Sequence, residues 1–344
     1  MPEPVNDLGA AWCVRYRLEM RIAYMASKLC VAVAVLGAFA AYSASAPTAS
    51  SVPSAPSPLS AELSRAFWSH WGDGRAEMNA YRLVQPRYAA PRKGTAVLIY
   101  VTEDFSDRLR VKADPGKHPP SDVYPVLKLN AIRDFQTGIY DYNVMTSVFA
   151  RVDAGWPIAK VSFSSQEWCG HVYHQLLPRG DSVTGWSHSY FDGEADATEK
   201  LSMPARGVME DALPILLRGW AGAYLSPGGS ATVPFLPSLL RARLEHRPLA
   251  WGRATIALTA DTDEVEVPAG RFEVRTWTVT PEDGPQATYQ IEAASPHRLV
   301  RWATDAGELA ELRGSERLAY WKLNGPGGEE SLKRLGLQPE TGAW

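Results

Sequence analysis

The chain has 344 residues, of which 45 % are hydrophobic and 21 % charged, and its formal net charge is −3. This composition is typical of a globular protein that buries a sizeable core. The small net charge excludes the strongly basic surface that binding to nucleic acid or to an anionic membrane requires.

The N-terminal region has the layout of an export signal. Lys28 precedes an apolar run over residues 29–41, and small residues follow this run. A membrane-spanning helix needs about twenty apolar residues, so the run is too short to span a bilayer. It predicts a cleaved secretory signal peptide over residues 25–46. We therefore expect a periplasmic or extracellular protein that does not span the membrane after cleavage.

The same region sets the expected domain boundaries. Residues 1–24 are expected to precede the true start codon, so that the start at Met1 is over-extended. Residues 47–60, rich in Ser, Ala and Pro, predict a disordered linker. Two β-rich halves are expected beyond it, over residues 61–225 and 226–344. The turn-forming sequence Ser-Pro-Gly-Gly at 226–229 is the expected boundary, although the two halves can also form one continuous domain.

Short apolar runs separated by turn residues follow along the chain. After a first helix carrying Phe67 and Trp71, we predict strands at 96–102, 124–130, 138–149, 160–177, 185–201, 255–258, 264–267, 272–278, 287–292, 299–303 and 309–313. One further helix is predicted over residues 209–220, because Leu213, Leu216, Leu217 and Trp220 recur at helical spacing.

These elements predict a mainly β fold. The expected architecture is an antiparallel curved sheet, half-barrel or sandwich, with one covering helix at about residues 208–222. A curved sheet of this kind can enclose a ligand between its concave face and the helix.

A polar cluster is the first candidate site. Strand alternation over residues 161–173 places Glu167, Cys169 and His171 on one face, and a hairpin turn near Gly180 brings the next strand beside them. The full candidate cluster is Glu167, Cys169, His171, His174, His188 and Asp192. Cys169, His171 and His188 are residue types that bind zinc, and Cys169 beside a histidine also fits a thiolate nucleophile.

The alternative is a structural cluster. Cys13 and Cys30 lie in the segment expected to be removed, so Cys169 is left without a disulfide partner. We expect this thiol to be buried, with the histidines and Glu167 hydrogen-bonded to one another inside the sheet. On this alternative we expect no cofactor. Zinc is expected only if the side chains of Cys169, His171 and His188 lie close enough together to bind one ion.

Tryptophans supply the second candidate site. The chain has 12 of them, and several lie in or beside predicted strands. Trp168, Trp186, Trp277 and Trp302 are candidates to line a cleft, because an aromatic ring with a polar edge suits an amphiphilic ligand. Packing in the core is the alternative for each of these rings.

Four segments carry a resemblance to a known family: residues 94–103 (GTAVLIYVTE), 166–174 (QEWCGHVYH), 267–272 (VPAGRF) and 296–302 (PHRLVRW). Through them the chain resembles an uncharacterised family of secreted bacterial β-rich proteins of unknown function. Such sequences are sometimes labelled septum formation inhibitor, a name that belongs to cytoplasmic nucleotide pyrophosphatases. The Ser-x-Ser-Pro-Arg-Arg motif of those enzymes does not occur in this sequence.

The sequence therefore favours an exported, non-enzymatic cell-envelope protein that binds a hydrophobic or amphiphilic ligand in an aromatic-lined cleft. The alternative is a secreted metal- or thiol-dependent hydrolase centred on Cys169, His171 and His188. A second alternative is a structural protein whose partner is another envelope component.

Overall fold

The structure, a computed structural model, describes residues 61–339. Sixteen strands form one sheet within this part of the chain. The first eight are β1 (Ala76–Arg87), β2 (Ala90–Ser106), β3 (Val123–Thr137), β4 (Tyr140–Arg151), β5 (Ile158–Glu167), β6 (Gly170–Arg179), β7 (Ser182–Ser189) and β8 (Ala197–Ser202). The others are β9 (Val208–Met209), β10 (Ser230–Leu236), β11 (Gly252–Leu258), β12 (Asp263–Val267), β13 (Gly270–Pro281), β14 (Ala287–Glu292), β15 (Leu299–Thr304) and β16 (Leu309–Leu318).

The sheet is a long meander that curves without closing. The strand order is β8-β7-β6-β5-β4-β3-β2-β1-β16-β15-β14-β13-β11-β10-β9, with β12 paired to β13. All pairs are antiparallel except the short parallel contact between β9 and β10. The prediction of a mainly β fold built on a curved antiparallel sheet is confirmed.

The pairing of β1 with β16 joins the two ends of the described chain. Ala76 lies opposite Leu318 and Val84 lies opposite Leu309. Strand β1 has no counterpart among the strands predicted from the sequence, although it is a central strand with a partner on each side. Because β1 and β16 belong to the two predicted halves, one sheet runs through both. The domain boundary at residues 226–229 stays a prediction.

The helices are few and short. They are α1 (Ala61–Trp71), α2 (Leu213–Leu216) and α3 (Leu239–Glu245), with 3-10 turns at Pro120–Asp122, Glu210–Ala212, Tyr320–Lys322 and Gly328–Leu335. The helix predicted over residues 209–220 is thus reduced to a 3-10 turn followed by α2. Pro214 lies in the first turn of α2, and Gly219, with a φ of 72°, follows its end. The segment predicted to cover the sheet is therefore present as this 3-10 turn and α2, and α3 covers the sheet beside it.

Apolar side chains of the sheet alternate between two faces. Leu98 and Tyr100 belong to the main core together with Phe67 and Trp71 of α1. Ile99 and Val101, which alternate with them along β2, belong to a smaller cluster on the opposite face, against which Tyr320 packs. The main core therefore lies between the sheet and the helices.

The predicted signal peptide at 25–46, the start at 1–24 and the linker at 47–60 all lie outside the described residues. Within residues 61–339, every helix is too short or too polar to cross a bilayer.

Candidate functional site

A cavity of about 350 Å³ lies between the sheet and the helical segments. Its walls come from β1–β4, β14 and β15, which are close together in the strand order, and its cover comes from Glu210–Ala212, α2 and α3. The apolar lining residues include Leu98, Leu129, Ala131, Val148, Leu240, Leu244, Tyr289, Leu299 and Trp302. Four lining residues are exposed and mark the mouth: Tyr88, Ala89, Glu245 and Ala306.

Five charged residues line one part of this cavity, and we call them the charged cluster: Arg133, Glu210, Asp211, Arg241 and Glu308. Arg133 of β3 forms an ion pair with Glu308, Nη2 to Oε1, at 3.0 Å. The indole Nε1 of Trp302 donates to the same Oε1 at 2.6 Å. Trp302 therefore has both roles expected of a cleft-lining tryptophan, an apolar face and a polar edge.

Glu210 and Asp211 enter the cavity from the 3-10 turn that precedes α2. The backbone N–H of Ser238 donates to Glu210 Oε2 at 2.9 Å, and that of Leu239 donates to Asp211 Oδ2 at 3.0 Å. Both carboxylates thus satisfy free N–H groups at the start of α3, where negative charge is favourable. Arg241 Nη2 lies 3.5 Å from Glu210 Oε2.

Asp211 has an unusual acidity for an aspartate. Burial raises its pKa to about 7, and the neighbouring charge of Glu210 adds to this effect. Burial also raises the pKa of Glu210. Among the described residues no cation lies within ion-pair distance of Asp211, whereas Arg241 pairs with Glu210. The site therefore holds a carboxyl group that titrates near neutral pH.

Gln85 borders the charged cluster from β1. The register that pairs Val84 with Leu309 places Gln85 opposite Glu308 when it is continued by one residue. The Gln85 side chain is 4 % exposed and lines the cavity, and its Oε1 has no hydrogen-bond partner among the described residues. A buried acceptor without a donor costs about 1–3 kcal/mol, so this amide oxygen is available to a bound molecule.

Arg87 lies near the mouth and is held by neutral groups. Its Nη1 donates to the carbonyl of Leu244 at 2.9 Å, and its Nε donates to the hydroxyl of Tyr142 at 3.2 Å. The hydroxyls of Tyr88 and Tyr142 are 2.9 Å apart. These contacts attach the β1–β2 turn to α3 and fix the shape of the mouth.

The predicted polar cluster does not form. A two-residue turn at Trp168 and Cys169 separates β5 from β6, so the alternation predicted through residues 161–173 reverses after Glu167. Cys169 is exposed, which contradicts the expectation of a buried thiol. Glu167 is buried and pairs with Arg243 of α3 instead.

The histidines of the predicted cluster lie on different faces. His171 and His188 are exposed, and His188 Nδ1 lies 3.1 Å from Asp196 Oδ1. His174 is buried on the opposite face, 3.0 Å from Glu199. Asp192 is exposed in the loop after β7. Within residues 61–339 no group of three or more His, Cys, Asp or Glu side chains is arranged to hold a metal ion.

Only one of the four candidate tryptophans lines the cavity, and it is Trp302. Trp168 is 68 % exposed at the β5–β6 turn, and Trp186 is 37 % exposed on β7. Trp277 is buried in the main core. Of the four predicted tryptophans, Trp302 thus lies in the cavity wall, where Tyr289 is a second aromatic residue that was not predicted. Ligand binding there stays a prediction.

The residues that build the charged cluster were not identified from the sequence. Glu210 and Asp211 were assigned only as the start of a helix, and Arg133 and Glu308 fell between predicted elements. The available signal was the pair of acidic residues shortly before Leu213 and Pro214, at the start of the predicted helix. Their partners come from strands distant in sequence, which no local pattern identifies.

No protein-family model matches the chain, and no curated protein matches it either. Two solved structures are similar. One is a β-barrel-like protein of the domain of unknown function DUF1849 from Brucella abortus, at 9 % identity over 71 % of this chain and 98 % of that chain, with a TM-score of 0.42. The other is a DUF1089 family protein from Pseudomonas aeruginosa, at 10 % identity over 51 % of this chain and 83 % of that chain, with a TM-score of 0.31. Both are described as members of domain-of-unknown-function families.

Proposed function

We propose that this protein binds a small amphiphilic ligand in the cavity and has no enzymatic activity. The observation that carries the proposal is the composition of the cavity wall, which combines a continuous apolar surface with one charged cluster. Ligand sites in proteins are mostly apolar with a few convergent polar groups that orient the ligand. The apolar part of the ligand would contact Leu129, Val148 and Leu299, and its polar head would contact the charged cluster.

The size of the cavity limits the ligand. Ligand sites commonly enclose about 300–1,000 Å³, so a volume of about 350 Å³ is at the lower end. It equals the volume of roughly a dozen water molecules. We infer a single short chain or a small ring system as the apolar part, rather than a lipid with two long chains.

The compartment is part of the same proposal. The apolar run over residues 29–41 supports export to the periplasm or beyond, followed by removal of residues 25–46. Amphiphilic molecules are common in the cell envelope. We propose that the protein binds one of them there and shields its apolar part from water.

Titration of the purified protein with N-phenyl-1-naphthylamine, a neutral probe that fluoresces in apolar surroundings, tests the proposal. We expect saturable fluorescence. Ala131→Phe fills the cavity wall and Ala306→Trp obstructs the exposed mouth, so each should weaken probe binding about tenfold or more. Ala131→Ser and Ala306→Ser are the matched controls and should bind as the unmodified protein does.

Substitutions at two positions distinguish a loss of binding from a loss of folding. Ala131 is partly buried, whereas Ala306 is exposed, so the Ala306→Trp variant leaves the core unchanged. Probe binding that is unaffected in both variants would overturn the proposal. Absence of saturable binding by the unmodified protein would overturn it as well.

A further inference from the structure

We propose that the ligand is an amphiphile whose polar head carries a protonated amine, held between the Asp211 carboxylate and the Gln85 amide oxygen. This inference rests on the proposed function and specifies the chemistry of the head group. It is argued from the groups in the charged cluster that already have partners and from those that do not.

The charge balance of the cluster leaves one carboxylate over. Arg133 is paired with Glu308, and Arg241 with Glu210, so both guanidinium groups of the cluster have an anionic partner. Asp211 receives a hydrogen bond from the backbone N–H of Leu239, but no cation among the described residues lies within ion-pair distance. A ligand cation would complete the balance, whereas a ligand anion would add to the excess of negative charge.

Gln85 gives a second, independent indication. Its Oε1 is a buried acceptor without a donor, on a side chain that lines the cavity opposite Glu308. An ammonium group has three N–H donors and no acceptor, so its chemistry matches both an amide oxygen without a donor and a carboxylate without a cation. A carboxylate or phosphate head has no proton to donate to either group.

The other donors of the cavity lie outside the Asp211–Gln85 part of the wall or already have partners. Arg87 has no anionic partner among the described residues, but it lies near the mouth and donates to Leu244, Tyr142 and Tyr88. The Nε of Arg241 is buried without a partner, but the same guanidinium is paired with Glu210 and donates from Nη1 to the carbonyl of Asp283 at 3.1 Å. One N–H on a neutralised guanidinium suits a hydroxyl or ether oxygen beside the amine.

The acidity of Asp211 supports the inference and gives it a pH dependence. Burial raises the pKa of Asp211 to about 7, because the ionised form loses its hydration and the Leu239 N–H and the charge of Arg133 compensate only in part. An alkylammonium group keeps its charge up to a pH of about 10. Its attraction to the site should therefore increase as pH rises from 5 to 8 and Asp211 ionises. The other titratable and charged groups around Asp211 are Glu210, Arg133 on β3, His174 on β6, Arg241 on α3, Tyr289 on β14 and Glu308 before β16.

Three probes with the same chain test this: octylamine, octanol and octanoate, each used to displace N-phenyl-1-naphthylamine at pH 8. We expect octylamine to bind about tenfold or more tightly than the other two. Its affinity should fall as the pH is lowered to 5, whereas that of octanol should not change. Asp211→Asn should remove the preference for octylamine over octanol, and Gln85→Leu should reduce it.

The controls separate this inference from the proposed function. Asp211→Asn keeps an oxygen to accept from Leu239, and Asp192→Asn changes an exposed carboxylate outside the cavity and should leave the preference intact. Preference for octanoate, or a preference for octylamine that survives in Asp211→Asn, would overturn the amine assignment while the binding cavity stands. Failure of the neutral probe itself to bind would overturn both.

Discussion

Two regions of the protein bury charged side chains, and they differ in how those charges are matched. In the first, Glu77 of β1 and Arg218 are each 1 % exposed, with Arg218 Nη1 at 2.9 Å from Glu77 Oε1 and Nη2 at 3.0 Å from Oε2. Arg218 also donates to the carbonyls of Pro296 and His297 at 2.8 Å. The second region is the charged cluster of the cavity, where three carboxylates face two guanidinium groups.

The two regions have opposite effects on carboxyl acidity. Burial by itself would raise the pKa of Glu77, but the charge of Arg218 and hydrogen bonds from His70, Arg218 and Asn79 outweigh it and lower the pKa to about 2. Burial has little compensation at Asp211, and its pKa rises to about 7. A matched pair therefore favours the ionised carboxylate in the folded protein, whereas the unmatched one opposes it.

The difference between the two regions indicates which one is the better candidate for a functional site. The Glu77–Arg218 pair has no unmatched charge, and its partners attach β1 to the segment before β15, so it has a structural role. The charged cluster keeps an unmatched carboxylate beside a cavity, and that arrangement makes sense when another molecule supplies the missing charge. Three substitutions test this difference between the two regions.

The largest effect is expected for Arg218→Met. This change leaves Glu77 buried without its counter-ion, and breaking a buried pair in this way costs about 3–5 kcal/mol in the free energy of unfolding. Arg82→Met is the matched control, because Arg82 pairs with Glu311 at the surface and should contribute under about 1 kcal/mol. Urea denaturation at pH 7 measures both. A cost for Arg218→Met no larger than for Arg82→Met would show that the buried pair is not structural.

An effect of opposite sign is expected for Asp211→Asn. The pKa of Asp211 in the folded protein, about 7, is above its ordinary value of 3.8, so ionisation opposes folding and stability falls as pH rises through this interval. Asn cannot ionise and still accepts from Leu239. Since each pKa unit corresponds to about 1.4 kcal/mol, the variant should be more stable than the unmodified protein at pH 8 by up to about 4 kcal/mol, and nearly equal to it near pH 4.

Thermal unfolding at several pH values checks this expectation. Asp192→Asn removes an exposed carboxylate and should change stability by under about 0.5 kcal/mol. An Asp211→Asn variant that is less stable at pH 8 than at pH 4, relative to the unmodified protein, would mean that the carboxylate is matched after all.

Much of the fold was predictable because its signals are local. Strands β13–β16 have alternating apolar residues and turn sequences such as Pro268-Ala269-Gly270, so their positions were identified closely. Strand β1 was missed because its sequence, AEMNAYRLVQPR, combines good helix formers with a proline. It becomes a strand because β2 and β16 pair with it on both sides, and pairing across more than 200 residues has no local signature.

The candidate site was less predictable for a related reason. The alternation rule correctly placed Glu167 on the same face as Val161 and Phe163, but the turn at Trp168 and Cys169 exchanged the faces of His171 and His174. Because this turn pairs Glu167 with Gly170, the inward positions change from odd to even numbers, as they would after a one-residue slip in register. The charged cluster, in turn, is assembled from β3, the Glu210–Ala212 turn, α3 and the β15–β16 turn, so only the tertiary structure brings it together.

The smallest effect is expected for Cys169→Ser, which separates the site favoured by the sequence from the site favoured by the structure. Cys169 is exposed at the β5–β6 turn and belongs to neither charged region, so the variant should change the free energy of unfolding by under about 0.5 kcal/mol. Probe binding should also be unchanged, and the thiol of the unmodified protein should react with a maleimide without denaturant. Val172→Ser is the matched contrast, because this nearby side chain of β6 is buried in the main core and its loss should destabilise the protein by more than about 1 kcal/mol. If Cys169→Ser lost probe binding while Asp211→Asn retained it, the binding site would lie at the β5–β6 turn and not in the cavity.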